Sequence, residues 1–181
     1  MKYKKHIILL LVISLVFYCR HKVLNHNIPI ANIEFVKIEK NDEYENSFFL
    51  YFSSDIELIE NLKKEHTGGL TIKCFFLDKI INENDFSDYK SYYLQSRWNK
   101  SELINKTSKE YIYKVNAVFR DNIDSKKEKI IKGINEFINE NNTNCLSCVA
   151  TSVAYMNIPK RYISNTMCIS KKELKKVMKK E

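Results

Sequence analysis

The sequence predicts an α+β domain, a mixed or mainly antiparallel sheet covered by about three amphipathic helices. Three observations carry that prediction. Residues 111–119 alternate, with Tyr111, Tyr113, Val115, Ala117 and Phe119 on one face, the period of a half-buried strand. Capping-box pairs precede apolar residues at helical spacing in three places. Elsewhere, β-branched and aromatic runs recur between polar stretches, as strands do. Helices that bury one face each against such a sheet give an α+β layer arrangement.

The chain divides into a leader, 1–19, a polar spacer, 20–31, and one domain, 32–181, an ordinary length for a single core. Within the leader, Lys2, Lys4 and Lys5 precede an apolar run of 13 residues from Ile7 to Cys19. That is the layout of an export signal, and the run is shorter than the roughly 20 residues a spanning helix needs. No small-residue cleavage pattern follows it. Cys19 stands where a lipoprotein signal ends, with Tyr18 in the place of the usual small residue. Lipid attachment at Cys19, an uncleaved anchor and ordinary cleavage are the three open outcomes. Under the first two the protein is exported to the periplasm and held at the membrane through its N-terminus.

The domain opens with "NIEFVKIEK" and "SFFLYF", two strand-like runs joined by the polar "NDEYEN". In "SSDIELIENLKKEHTGG", Ser54 and Glu57 read as a capping box, Ile56, Ile59 and Leu62 as a helix face, and Gly68 as its stop. "LTIKCFFL" is again strand. The stretch 78–106 is aromatic without a clean period. After the alternating strand, Ser125 and Glu128 cap a helix whose face is Ile130, Ile131, Ile134, Phe137 and Ile138. "CLSCVATSVAYM" and "RYISNTMCI" read as strands. Ser170 and Glu173 then cap a terminal helix carrying Leu174, Val177 and Met178 among six lysines, a helix that docks its apolar residues on the sheet or meets an acidic surface.

Composition removes several functions. The chain has 3 glycines, and phosphate-cradling loops need several at fixed spacing. Removing Lys2, Lys4 and Lys5 with the leader lowers the formal charge from +8 to +5, too mild for a nucleic-acid footprint. His66 is the one histidine within the domain, so a hydrolytic triad has no local support. No enzymatic activity and no cofactor are therefore expected.

Of the five cysteines, assigning Cys19 to a lipid leaves Cys74, Cys145, Cys148 and Cys168. Four is an even number in a chain bound for an oxidising compartment, which suits disulfides. Cys145 and Cys148 form a Cys-x-x-Cys, but the β-branched sequel makes it strand. Residues three apart on a strand face opposite sides and lie roughly 10 Å apart, so the two must take different partners. A thiol-redox or metal-handling role for Cys145 and Cys148 is the alternative reading, and a structural envelope lipoprotein is a further one.

Phe86, Tyr89, Tyr92, Tyr93, Arg97 and Trp98 are of the types enriched in interface hot spots. They stand as candidate partner-binding residues beside a reading as core. The leader, the single domain and the cysteine-bearing strands ending in "YISNTMCIS" together resemble the exported, lipoprotein-like immunity proteins that bacteria pair with secreted toxins. That resemblance implies a protein that blocks a toxin in the periplasm by covering it, with no catalytic residue of its own. The expected partners are a toxin or another envelope protein and the membrane, not nucleic acid.

Overall fold

In a computed structural model, the described residues are 28–43, 47–65, 68–75, 93–120, 139, 144–152 and 162–178, with backbone alone for 97–100. The chain runs β1 (Ile33–Lys40), β2 (Ser47–Ser54), α1 (Leu58–Lys64), β3 (Leu70–Phe75), β4 (Tyr93–Lys106), β5 (Tyr111–Arg120), β6 (Cys145–Ser152), β7 (Met167–Ser170) and α2 (Lys171–Met178). Seven strands form one sheet in the order β1-β2-β5-β4-β3-β6-β7. Every neighbouring pair is antiparallel.

This corrects the expected fold class. Among the described residues strand outweighs helix, 59% against 17%, and the sheet curls into a nearly closed barrel with two helices rather than an α+β layer with about three. The physical reason lies in how the apolar face is covered. Alternation along β5 requires its inner face to be buried, but a sheet that curls buries that face against its own far side. Phe52, Leu50, Tyr113, Val115, Ile72, Leu94, Leu146 and Ile169 meet in one core from six strands. Fully burying a large aliphatic or aromatic side chain contributes roughly 1.5–3 kcal/mol, and here strands supply most of it. Of the expected helix over 124–141, Asn139 is described and helical, and the rest lies outside the described residues.

Closure is made at a seam. With seven strands alternating in direction, β1 and β7 run parallel, and side chains replace a regular ladder between them. Asn165 N–H donates to the Ala31 carbonyl at 3.0 Å, and Ile33 N–H donates to Asn165 Oδ1 at 2.7 Å. The amide side chain stands in for the carbonyl that a parallel bridge would offer. Tyr162 Oη accepts from Ala31 N–H at 2.9 Å and donates to the Pro29 carbonyl; burial of this hydroxyl pushes its pKa up. Asp55 fastens the same turn of chain, accepting from Asn32 N–H and Asn32 Nδ2. Beyond the seam's start α2 packs on β1 and β7. It buries Leu174 and Val177, so the terminal helix docks its apolar residues.

Both described helices begin with a side-chain cap. Ser170 Oγ accepts from Glu173 N–H at 3.3 Å, as the sequence pattern predicts. At α1 the pattern misleads: Ser54 closes β2, its hydroxyl bonds Ile56 N–H, and Glu57 is the N-cap, accepting from Glu60 N–H. The start of α1 is tied to the barrel by Tyr113, whose hydroxyl accepts from Leu58 N–H at 2.7 Å and donates to Glu57. Burial is the main reason this phenol is pushed far above its ordinary pKa.

Candidate functional site

The least regular strand is β4. Its first residues pair with both neighbours, Leu94 with Cys74 of β3 and with Phe119 of β5. Ser96 then faces Ala117 and Ser101 faces Val115, so residues 97–100 oppose Asn116 alone. A bulge of this kind re-aims side chains and bends the strand. It also takes β4 away from β3, and two serines repair the break. Ser96 Oγ accepts from Ile72 N–H at 2.7 Å, and Ser101 Oγ donates to the Leu70 carbonyl at 2.9 Å. Backbone groups that would otherwise be buried without partners are thereby satisfied.

Arg97 and Trp98, singled out from the sequence as partner-binding residues, stand on this bulge. Tyr93 does not: it lies in the regular part of β4 and stacks on Phe75, ring centroids 6.2 Å apart, in a small cluster with Val149. Phe86, Tyr89, Tyr92 and the proposed lipid site Cys19 lie outside the described residues, as does His66.

Next to the bulge, the outer face of β1, β2, β5 and β4 carries a continuous cross-strand row. Lys37 pairs with Tyr51, Tyr51 with Lys114, and Lys114 with Glu102. Beside it runs a second row, Glu39, Phe49 and Asn116. Lys37 Nζ lies 2.7 Å from Glu39 Oε1 and 4.3 Å from the Tyr51 ring centroid. Lys114 Nζ lies 4.0 Å from the Phe49 ring centroid. The hydrogen bonds from Lys37 and then Tyr51 hold the Glu39 carboxyl below the usual range. The same bond to Glu39 raises Lys37, and burial, followed by Glu39, raises Tyr51. All three shifts move titration away from neutral pH, so Lys37 and Glu39 stay charged and Tyr51 stays neutral across the physiological range.

This face borders an open groove of about 690 Å³ that reaches Glu173 and Lys176 of α2, and a smaller cleft of about 200 Å³ beside Asn116. Sequence reasoning assigned no role to Lys37, Glu39, Phe49, Tyr51, Glu102, Lys114 or Asn116. Alternation in β1, β2 and β5 marks most of them as outward-facing, but nothing in a single chain tells which outward residues of distant strands become neighbours.

The cysteines take two separate pairings. Cys74 and Cys148 are directly opposed on β3 and β6 with Cα atoms 3.9 Å apart, and both are buried in the core. Cys145 reaches Cys168 of β7 with Cα atoms 5.5 Å apart, at the outer face, where Cys168 is exposed. Both pairs stand at disulfide distance, and Cys145 and Cys148 turn to opposite faces. Among the described residues, no group of three or more His, Cys, Asp or Glu side chains could hold a metal ion, and no helix is long and apolar enough to cross a membrane.

The fold and this face define a small, antiparallel, barrel-like protein with two cysteine cross-links and a charged, aromatic outer surface beside a strand bulge. No family model matches the chain, and no curated protein and no solved structure matches it.

Proposed function

We propose that this is an exported bacterial binding protein, tethered to the membrane through its N-terminus, that neutralises a toxin in the periplasm by covering it. The observation that carries the reading is the bulge of β4, which sets Arg97 and Trp98 opposite Asn116 and next to the row from Lys37 to Glu102. Arg and Trp lead the residue types that dominate protein interfaces, and positions 97 and 98 fall within the bulge. Two further observations support it. Cysteine pairs at disulfide distance suit an oxidising compartment. Lys37, Glu39 and Tyr51 have their pKa values driven away from neutrality, which suits fixed recognition groups better than proton transfer. The thiol-redox alternative is disfavoured, because Cys145 and Cys148 lie in different pairs.

The experiment expresses the product of the neighbouring toxin gene in the periplasm with and without this protein, and repeats it with Arg97→Ala/Trp98→Ala. Protection that is lost in the double variant is the expected result. Failure to protect and failure to bind any neighbouring gene product overturns the immunity reading; protection that survives the double variant overturns only the surface. Cys19→Ser tests the lipid: unchanged membrane association and unchanged gel mobility reject lipid attachment and leave an uncleaved anchor as the tether.

A further inference from the structure

The cleft beside the bulge is lined, among the described residues, by Glu43, Phe49, Glu102, Lys114 and Asn116. Asn116 is only 4% exposed, and among the described residues no group donates to its Oδ1. A buried amide oxygen left unpaired costs on the order of 1–3 kcal/mol, so a native barrel that keeps one here holds an acceptor in reserve for a donor. The rest of the cleft specifies what kind. Among the described lining residues two carboxylates stand against one ammonium, a balance that favours a cation over an anion. The Phe49 ring already carries the Lys114 ammonium at 4.0 Å, so its face is in use as a cation platform.

We propose that this cleft takes an arginine side chain of a partner protein. A guanidinium is planar, carries five donors and is weakly hydrated. Those properties let it give hydrogen bonds to the Glu102 carboxylate and Asn116 Oδ1 while lying against Phe49. Lys114 is the group it displaces: a flexible ammonium that covers the ring when no partner is present. Glu43, on the turn after β1, supplies the second negative charge at the mouth. The inference rests on the reading that this face meets another protein and adds the chemistry of the contact. A metal ion fits less well, because the Lys114 ammonium stands in the cleft and Asn116 would be its one neutral oxygen ligand among the lining residues.

The test uses the full chain and N-acetyl-arginine amide, followed through the Asn116 side-chain amide resonances, with the uncharged citrulline analogue and calcium as parallel arms. Saturable movement with the arginine compound alone is expected. Glu102→Gln should weaken it about tenfold, as loss of a hydrogen bond to a charged group does, and Lys114→Met should strengthen it by removing the competing cation. No movement with arginine, equal movement with citrulline, a response to calcium only, or weakening by Lys114→Met overturns the proposal. Toxin protection plays no part in this readout, so its failure and that of the immunity reading are told apart.

Discussion

Ile33 N–H donates to Asn165 Oδ1 at 2.7 Å, across the seam where the first and last strands of the barrel meet. This bond does for β1 what a backbone carbonyl does elsewhere in the sheet, and it is a side chain's to lose. Asn165→Ala should cost about 1–2 kcal/mol, the usual penalty for orphaning a buried donor. Asn165→Asp keeps the acceptor and should cost less. Urea unfolding checks the energies, and amide exchange at Ile33 checks the place: an Ile33 amide no less protected in Asn165→Ala contradicts the bond's role.

The bulge of β4 is held by Ser96 as much as by its own residues. Ser96→Ala leaves Ile72 N–H without the Oγ that accepts it and should lower stability by about 1–3 kcal/mol. Ser101→Ala removes a donor from a part-buried carbonyl and should cost less than Ser96→Ala. Thermal melts of the two variants decide the order.

The two cysteine pairs should differ in both access and energy. Cys168 is exposed, whereas Cys74 and Cys148 are 0% exposed, so a mild thiol reductant should open Cys145–Cys168 first. Loop-closure entropy gives about 4 kcal/mol for the longer loop and about 3 kcal/mol for the shorter, at sequence separations of 74 and 23. Stepwise alkylation with mass mapping reads the order. Simultaneous loss of both pairs, or a Cys145–Cys148 bridge, contradicts the arrangement.

The Lys37–Glu39 pair makes a signed prediction about pH. Glu39 is held below the ordinary carboxylate range, so its contribution is present above the unfolded value, about 4.3, and is lost as pH falls through the lower folded value. Lys37 is raised, so its contribution is present below about pH 10.4 and is lost as pH rises through the folded value. Both side chains are exposed, so the effect is small and weakens with salt. In Lys37→Met the Glu39 carboxyl should titrate at higher pH by NMR; an unmoved titration shows that the pair is not what holds it down.

What could be read in the sequence was local. The alternation of Tyr111 to Phe119 announced β5, the Ser170 and Glu173 pair announced the start of α2, and the i, i+3 spacing of Cys145 and Cys148 on a strand sent them to opposite faces. Each follows from a period or a cap set by a few consecutive residues. Where local signals failed, a long-range pairing had overridden them. The Ser54 and Glu57 box gave way because Ser54 is held in β2, against Tyr111 of β5. The aperiodic stretch before Lys106 holds the longest of the described strands because β5 supplies its partner and two serines bridge its bulge.

Strands with one apolar face, cysteines that look across the sheet for partners and a capped basic helix at the end of the chain can all be read from consecutive residues. Long-range contacts curl the sheet into a nearly closed barrel. They also bring Asn165 to the seam and set Lys37, Tyr51, Lys114 and Glu102, drawn from four strands, in one row. The reason is that strand pairing is nonlocal: the period of two fixes which face a residue takes, while register and strand order depend on which distant edges meet, and that is settled by burial of the whole core rather than by any segment of it.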